Sequence, residues 1–235
     1  TKGWELMLTW NDAFKLANKP FRYNLSVGLA DNTSEITKFD NPSKILSDYY
    51  VGQKLGDIWG YVVDGLFRTD EEAANYNVDQ TAVNFVINTA QVNPGLHAGD
   101  MKFVDLDGDH TISSGSNTAD DPGDRKIIGN SLPRYTYSIQ GGFDWYGFDF
   151  SIYLQGVGHQ DWYPGTNSVF FWGPYARPYS SFIPRDFLSQ VWSPENPDAY
   201  FPRPIGYLAL GNNRSLGVVN DRYLQNLAYC RVKNI

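Results

Sequence analysis

A chain of 235 residues has room for one large β domain or two small ones. Its net charge of −7 argues against nucleic-acid binding, which needs a basic stripe, and no run of 18 apolar residues offers a membrane helix. Aromatic residues make up 16% of the chain, a load that favours strands, while 22 glycines and 13 prolines ask for many turns and long loops. The single cysteine, Cys230, excludes an internal disulfide framework.

In chain order, Trp4, Leu6, Leu8 and Trp10 alternate with Glu5, Met7 and Thr9, which predicts a first strand. Asn11 to Pro20 carries turn residues and returns the chain. Phe21, Tyr23, Leu25, Val27 and Leu29 then alternate with Arg22, Asn24, Ser26, Gly28 and Ala30, the cleanest period-2 run in the sequence. Regular alternation stops from Asp31 to Leu132. Inside that gap, Thr69-Asp70-Glu71-Glu72 has the form of a capping box opening a short helix, and Gly and Asp cluster between Gly99 and Asp124. The central stretch is Arg134 to Val157. It predicts two strands joined at Asp144-Trp145-Tyr146-Gly147, with Phe148, Phe150, Ile152 and Leu154 on one face and Asp149, Ser151 and Gln155 on the other. A second irregular stretch, rich in Pro and aromatics, runs from Gly158 to Asp221. A fifth strand is expected from Tyr223, with Ala228, Cys230 and Val232 opposite Tyr229, Arg231 and Lys233.

Each arm of the central hairpin is about ten residues long, the length of a tilted strand crossing a bilayer. Aromatics stand at the rim of its turn, as in the girdles of transmembrane barrels. The connections alternate short, very long, short, very long, whereas loops beyond about 15 residues are uncommon in compact domains. Short turns on one side and long loops on the other are what an outer-membrane barrel shows. The expected fold is therefore all-β: antiparallel strands of a transmembrane β-barrel, about five of them, with long, partly ordered loops at 31–132 and 158–221. Such barrels have at least eight strands, so five make a piece of a larger barrel. The competing reading is an ordinary soluble β module with one face of the hairpin on a core.

Several segments, in order, resemble the C-terminal part of the SusC/RagA family of TonB-dependent outer-membrane transporters. Gly3-Trp4-Glu5-Leu6 is similar to a strand of that family. Gly52-Gln53 with Gly60-Tyr61-Val62-Val63-Asp64-Gly65-Leu66-Phe67 is similar to its Y-x-x-D-G-[IL]-F segment. The run Gly99-Asp100-Met101-Lys102-Phe103-Val104-Asp105-Leu106-Asp107-Gly108-Asp109 resembles its G-D-I-K-[YF]-x-D-x-[ND]-G-D-G pattern, continued by Asp124-Arg125, Ile128-Gly129 and Pro133. Gly147-Phe148-Asp149 and Gln155-Gly156 match its hairpin. Trp192-Ser193-Pro194-Glu195-Asn196-Pro197, Pro202-Arg203 and the stretch from Tyr229 to Ile235 match its closing segments. The resemblance covers nearly the whole chain. It implies a barrel of about 22 strands that imports glycans or peptides across the bacterial outer membrane. A SusD-like surface lipoprotein would sit as a lid over long loops on the extracellular face. The energy-coupling contact with TonB would be made through an N-terminal part, with its plug, that these residues do not include.

The sharpest chemical motif is acidic. Asp105, Asp107 and Asp109 stand at positions 1, 3 and 5 of an EF-hand-like loop, with Thr111 at 7, a spacing that gathers oxygens around a hard Ca2+ ion. His110 replaces the sharp-turn glycine at position 6, and Ser116 stands at 12. The resemblance puts the family's closing aspartate at Asp124, behind the insertion Ser114 to Gly123, with Asp120 and Asp121 as alternatives. A solvated acidic turn held by Asx hydrogen bonds would have the same sequence. The second candidate is the aromatic loop with Trp162, Tyr163, Phe170, Phe171, Trp172, Tyr175, Tyr179 and Phe182. Trp162, Tyr163, Trp172 and Tyr175 are its candidate ligand or partner contacts, since aromatic faces stack on sugar rings and anchor interfaces. A loop this long must equally bury something to be ordered. The three histidines, His97, His110 and His159, lie singly, and no zinc spacing, phosphate loop or nucleophile elbow is present, so no enzyme is expected. Two functions stay open: part of a nutrient importer, or a secreted calcium-bearing, carbohydrate-binding β module.

Overall fold

The computed structural model describes residues 1–83, 95–176, 183–205, 207–211 and 215–235. Its elements are β1 (Lys2–Leu16), β2 (Lys19–Thr33), β3 (Asp57–Tyr61), β4 (Val63–Leu66), α1 (Asp70–Ala74), β5 (Met101–Phe103), β6 (Arg125–Asn130), β7 (Arg134–Trp145), β8 (Phe148–His159), β9 (Asp161–Trp162), α2 (Val169–Trp172), β10 (Gln225–Asn226) and β11 (Tyr229–Asn234), with three short 3-10 turns after α2. The long strands form one antiparallel sheet in the order β1-β2-β7-β8-β11. The others form three two-stranded pairs, β3 with β6, β4 with β5 and β9 with β10.

The five-strand expectation holds, and its boundaries shift for a physical reason. Asn11 to Leu16 is strand, not turn, because Asn11 pairs with Asn24, Ala13 with Arg22 and Phe14 with Phe21. The reversal needs only Ala17 and Asn18, both left-handed at φ 51° and 60°, the geometry of a tight hairpin turn. The second reversal is likewise only Tyr146-Gly147, at φ 53° and 88°. The fifth strand starts at Tyr229 instead of Tyr223. Tyr223 is fully buried elsewhere, and Gln225–Asn226 pairs with Asp161–Trp162.

Register sorts the side chains. Leu6 lies beside Leu29, Leu8 beside Val27 and Trp10 beside Leu25. Val27 continues to Ile139, then Leu154, then Val232. Every residue in that row is apolar. One position away, Thr9, Ser26, Gln140 and Tyr153 form a polar row. The apolar face ends near the two tight turns in a ring cluster: Phe14 over Phe21 at 5.0 Å, Phe21 stacked on Phe143 at 5.4 Å and Phe143 on Phe150 at 5.4 Å. Both tight turns lie at this end, and both long segments leave from the other. There Arg134 clamps Asp31 through Nε and Nη2 and ties the exit of β2 to the entry of β7. β1 and β11 are edge strands with no further neighbour among the described residues.

The core lies in the long segments, not under the sheet. Met101, Phe103 and Ile112 from the first pack with Trp172, Tyr175, Phe201 and Tyr223 from the second. Tyr61 N–H donates to the Val219 carbonyl and Asp221 N–H to the Tyr61 carbonyl, while the Arg203 guanidinium grips Asp100. The two loops are thus one packed body. The capping box forms: Thr69 Oγ1 accepts from Glu72 N–H. Glu72 returns its carboxylate to Arg68 N–H, one residue before the cap. Among the described residues no helix is long and apolar enough to cross a membrane, which says nothing of strands.

Candidate functional site

The acidic loop folds because short acidic side chains bond to backbone just ahead of them. Asp105 accepts from Gly108 N–H and His110 N–H, Asp107 from Asp109 N–H and Asp109 from Thr111 N–H. Gly108 is left-handed at φ 82°. His110 is left-handed too, at φ 64°, so it makes the sharp turn expected of the missing glycine. Ile112 anchors the loop by full burial in the core. The result gathers Asp105, Asp107 and Asp109 with carboxylate oxygens within 4.8 Å of one another.

Of the other two expected ligands, Asp124 is not in that group. Asp124 is fully buried, and its two oxygens accept from Leu106 N–H and Ser113 N–H, so it braces the loop from behind. Thr111 contributes its N–H to Asp109 and pairs in a bridge with Asp79. The alternatives are engaged as well: Asp120 with Lys44, Asp121 with Ser116. The electrostatics record the crowding. The bond from Asp109 N–H acts to lower the Asp107 carboxyl, but desolvation and the charges of Asp124, Asp109 and Asp105 outweigh it and raise it above the usual carboxylate range. Asp105 is moved the other way. Desolvation is its largest influence and raises it, yet the bonds from Gly108 and His110 prevail and lower it. Three clustered carboxylates, one destabilised by its neighbours, fit a hard cation, with further oxygens from water.

The aromatic set divides. Trp172 and Tyr175 are buried in the core, which removes them as surface contacts. The reason is packing: Trp172 meets Phe171 at 4.8 Å and Tyr223 at 5.2 Å, while the Tyr175 hydroxyl bonds the Pro202 carbonyl. Tyr163 is held inside by Val218 and Asn220, and burial pushes its hydroxyl far above the ordinary tyrosine range. Trp162 is exposed on β9 and Phe170 on α2. Tyr179 and Phe182 lie outside the described residues.

Two concavities were not read from the sequence. An open trough of about 630 Å³ includes polar-face residues near the tight turns, among them Asn24, Gln140, Asp149 and Ser151. A smaller cavity of about 370 Å³ opens in the loop body beside Trp59, Tyr61, Asn117 and Arg125. The alternation of Trp59 and Tyr61 about Gly60 was the signal for the second.

The fold defines the class: all-β, antiparallel strands of a partial β-barrel, with a loop body at one end. No protein-family model matches the chain. It is similar to TonB-dependent receptor P39 of Formosa agariphila, 28% identical over 174 residues that cover 64% of this chain and 16% of that protein. It is also similar to TonB-dependent receptor P3 of the same organism, 23% identical over 248 residues that cover all of this chain and 21% of the relative. These likenesses support a relationship to the TonB-dependent receptors. The chain spans about a sixth to a fifth of the length of these relatives. Neither relative is named as an enzyme.

Proposed function

We propose that this chain is the C-terminal barrel part of a SusC/RagA-type TonB-dependent importer in the bacterial outer membrane. The apolar sheet face meets lipid, the polar face meets the barrel lumen, and the long segments form the extracellular body. The observation that carries this reading is the sheet itself: an ordered apolar face that no described residue covers, and both long connections at one end. A lipid-facing barrel wall needs that combination. The cargo is a glycan or peptide. A SusD-like lipoprotein caps the loop body, where Trp162 and Phe170 stand exposed, and TonB acts through the rest of the protein. The acidic loop holds Ca2+ at Asp105, Asp107 and Asp109, bracing the extracellular body.

A soluble secreted module would need something to cover Leu8, Trp10 and Phe148, and nothing in the described residues does. The test is surface topology. Cysteines placed at Lys38 and at Leu188 of the full-length protein should both react with an impermeant maleimide on intact cells. Labelling at one position only breaks the barrel reading.

A further inference from the structure

The loop-body cavity has the makings of a ligand site distinct from the acidic loop. Trp59 and Tyr61 stand two apart on β3, so their side chains share a face and line it together. Its volume of about 370 Å³ lies within the ~300–1,000 Å³ range of small-ligand pockets. The Tyr61 hydroxyl makes no hydrogen bond to a described residue, and beside it in the same wall Trp59 Nε1 is a buried donor without a partner. A buried ring N–H ordinarily has one. Burial, the largest influence, keeps the Tyr61 hydroxyl protonated, so it is a neutral donor at physiological pH.

Arg125 supplies the charge. Its Nε donates to the Pro122 carbonyl, and Nη2 to the Ser114 carbonyl and to Asn117 Oδ1. Those bonds fix the guanidinium and leave Nη1 uncommitted among the described residues. No acidic side chain is among the cavity's described lining residues, in a chain of net charge −7. The negative charge acting on Tyr61 from behind is Asp124, whose oxygens are taken by two backbone N–H groups. Ser114 and Asn117 lie in the stretch between the acidic loop and Asp124.

We propose that this cavity binds a small sugar acid, its carboxylate on Arg125 and Tyr61 and its ring against the Trp59 indole. A fixed guanidinium and a buried neutral hydroxyl favour an oxyanion, and an aromatic wall favours a ring. As a statement of cargo class this rests on the importer reading; as a statement of binding it does not.

The experiment is calorimetry on the full-length protein in detergent, with glucuronate, glucose and acetate as probes. Glucuronate should bind at least about tenfold more tightly than glucose, which lacks the charge, and than acetate, which lacks the ring, since hydrogen bonds to a charged group are the stronger ones. Tyr61→Phe removes only a hydroxyl that no described residue uses, so the variant should fold normally and lose glucuronate affinity about three- to tenfold. Arg125→Gln should lose more, and Tyr61→Phe guards against its disturbing the 113–123 loop. Glucuronate binding no tighter than glucose, or unchanged in folded Tyr61→Phe, overturns the site. Binding that follows this pattern in a protein that cells do not use for uptake would end the importer reading and leave the site standing.

Discussion

The sheet and the loop body use the same kinds of residue in opposite ways. In the sheet, Leu8 is 60% exposed, Trp10 61% and Phe148 69%. In the loop body, Trp172, Phe103 and Met101 are 0% exposed. Burial of apolar area is the main favourable term in water, at about 25 cal/mol per Å². Soluble monomers rarely leave a large contiguous apolar patch bare. On the proposed barrel reading, the contrast is one between two solvents. The loop body buries its apolar residues because water surrounds it. The sheet holds its shape by backbone pairing and presents apolar residues outward, which is the arrangement for a hydrocarbon surround. A core inside the loops then explains how such long connections are ordered at all.

The largest expected effect breaks or sustains that contrast. Trp172→Ala removes a side chain packed between Phe171 and Tyr223, and should cost the loop body ~3–5 kcal/mol. Leu8→Ala, on the exposed face, opens no comparable cavity and should cost much less. Hydrogen exchange of the full-length protein in detergent reads both regions at once. Similar losses of protection for the two variants would mean the sheet has a buried core like that of the loops.

Next in size is the pair Ile152→Arg and Ser151→Arg. They are neighbours on β8 with opposite faces, Ile152 beside Gly141 and Ser151 beside Gly142. A charge at the midplane of a lipid-facing surface costs ~2–4 kcal/mol, whereas the lumen face tolerates it. Folding yield of the two full-length variants in membranes should differ accordingly. Equal yields would make the two faces equivalent and remove the lipid assignment.

Much of the sheet was legible because its signal is local. Phe21 to Leu29 and Phe148 to Leu154 alternate without interruption, and alternation is set by backbone geometry alone. The ends were less legible. Asn11 and Asp12 look like turn residues, but pairing with Asn24 and Tyr23 overrides that preference. Tyr223 has strand propensity, yet the loop core claims it. The acidic loop was legible for the same local reason as the strands, since its Asx bonds reach only two to five residues ahead. Asp124 was not, because its role as a brace depends on where Ser113 returns. Trp172 and Tyr175 were read as open contacts because sequence shows aromaticity and not depth. In the Tyr61–Arg125 cavity only the spacing of Trp59 and Tyr61 was legible, since Arg125 lies far off in the chain and no spacing rule reaches that distance.

Calcium should act on the loop body alone. A ligand that binds only the folded state stabilises it by about 2.7 kcal/mol at a hundred times its Kd. Added Ca2+ should therefore raise protection around Asp105 to Ile112 and leave β7 and β8 unchanged. In Asp107→Ala the calorimetric signal should vanish. A full signal in that variant, or a structure from calcium buffer with the three carboxylates turned to solvent, would end the assignment.

The smallest effect is at the cap of α1, and it sharpens the comparison by pH. Thr69→Ala removes the oxygen that accepts Glu72 N–H, and should cost about 1 kcal/mol. Glu72 sits below its ordinary pKa, chiefly because its carboxylate accepts Arg68 N–H, with Lys102 adding to the effect against some desolvation. A depressed carboxyl binds fewer protons folded than unfolded, so its contribution is complete above the unfolded value of about 4.3 and fades as pH falls through the lower folded value. Glu72→Gln should therefore flatten the loss of α1 protection below about pH 4 while leaving protection at pH 7 reduced. The apolar row of the sheet has no counterpart to this bond, so away from the Asp31–Arg134 clamp at the entry of β7 acidification should loosen α1 before the middle of β7 and β8. Simultaneous loss in both regions would mean that loop body and sheet unfold as one cooperative unit, and that the division between them is one of solvent only.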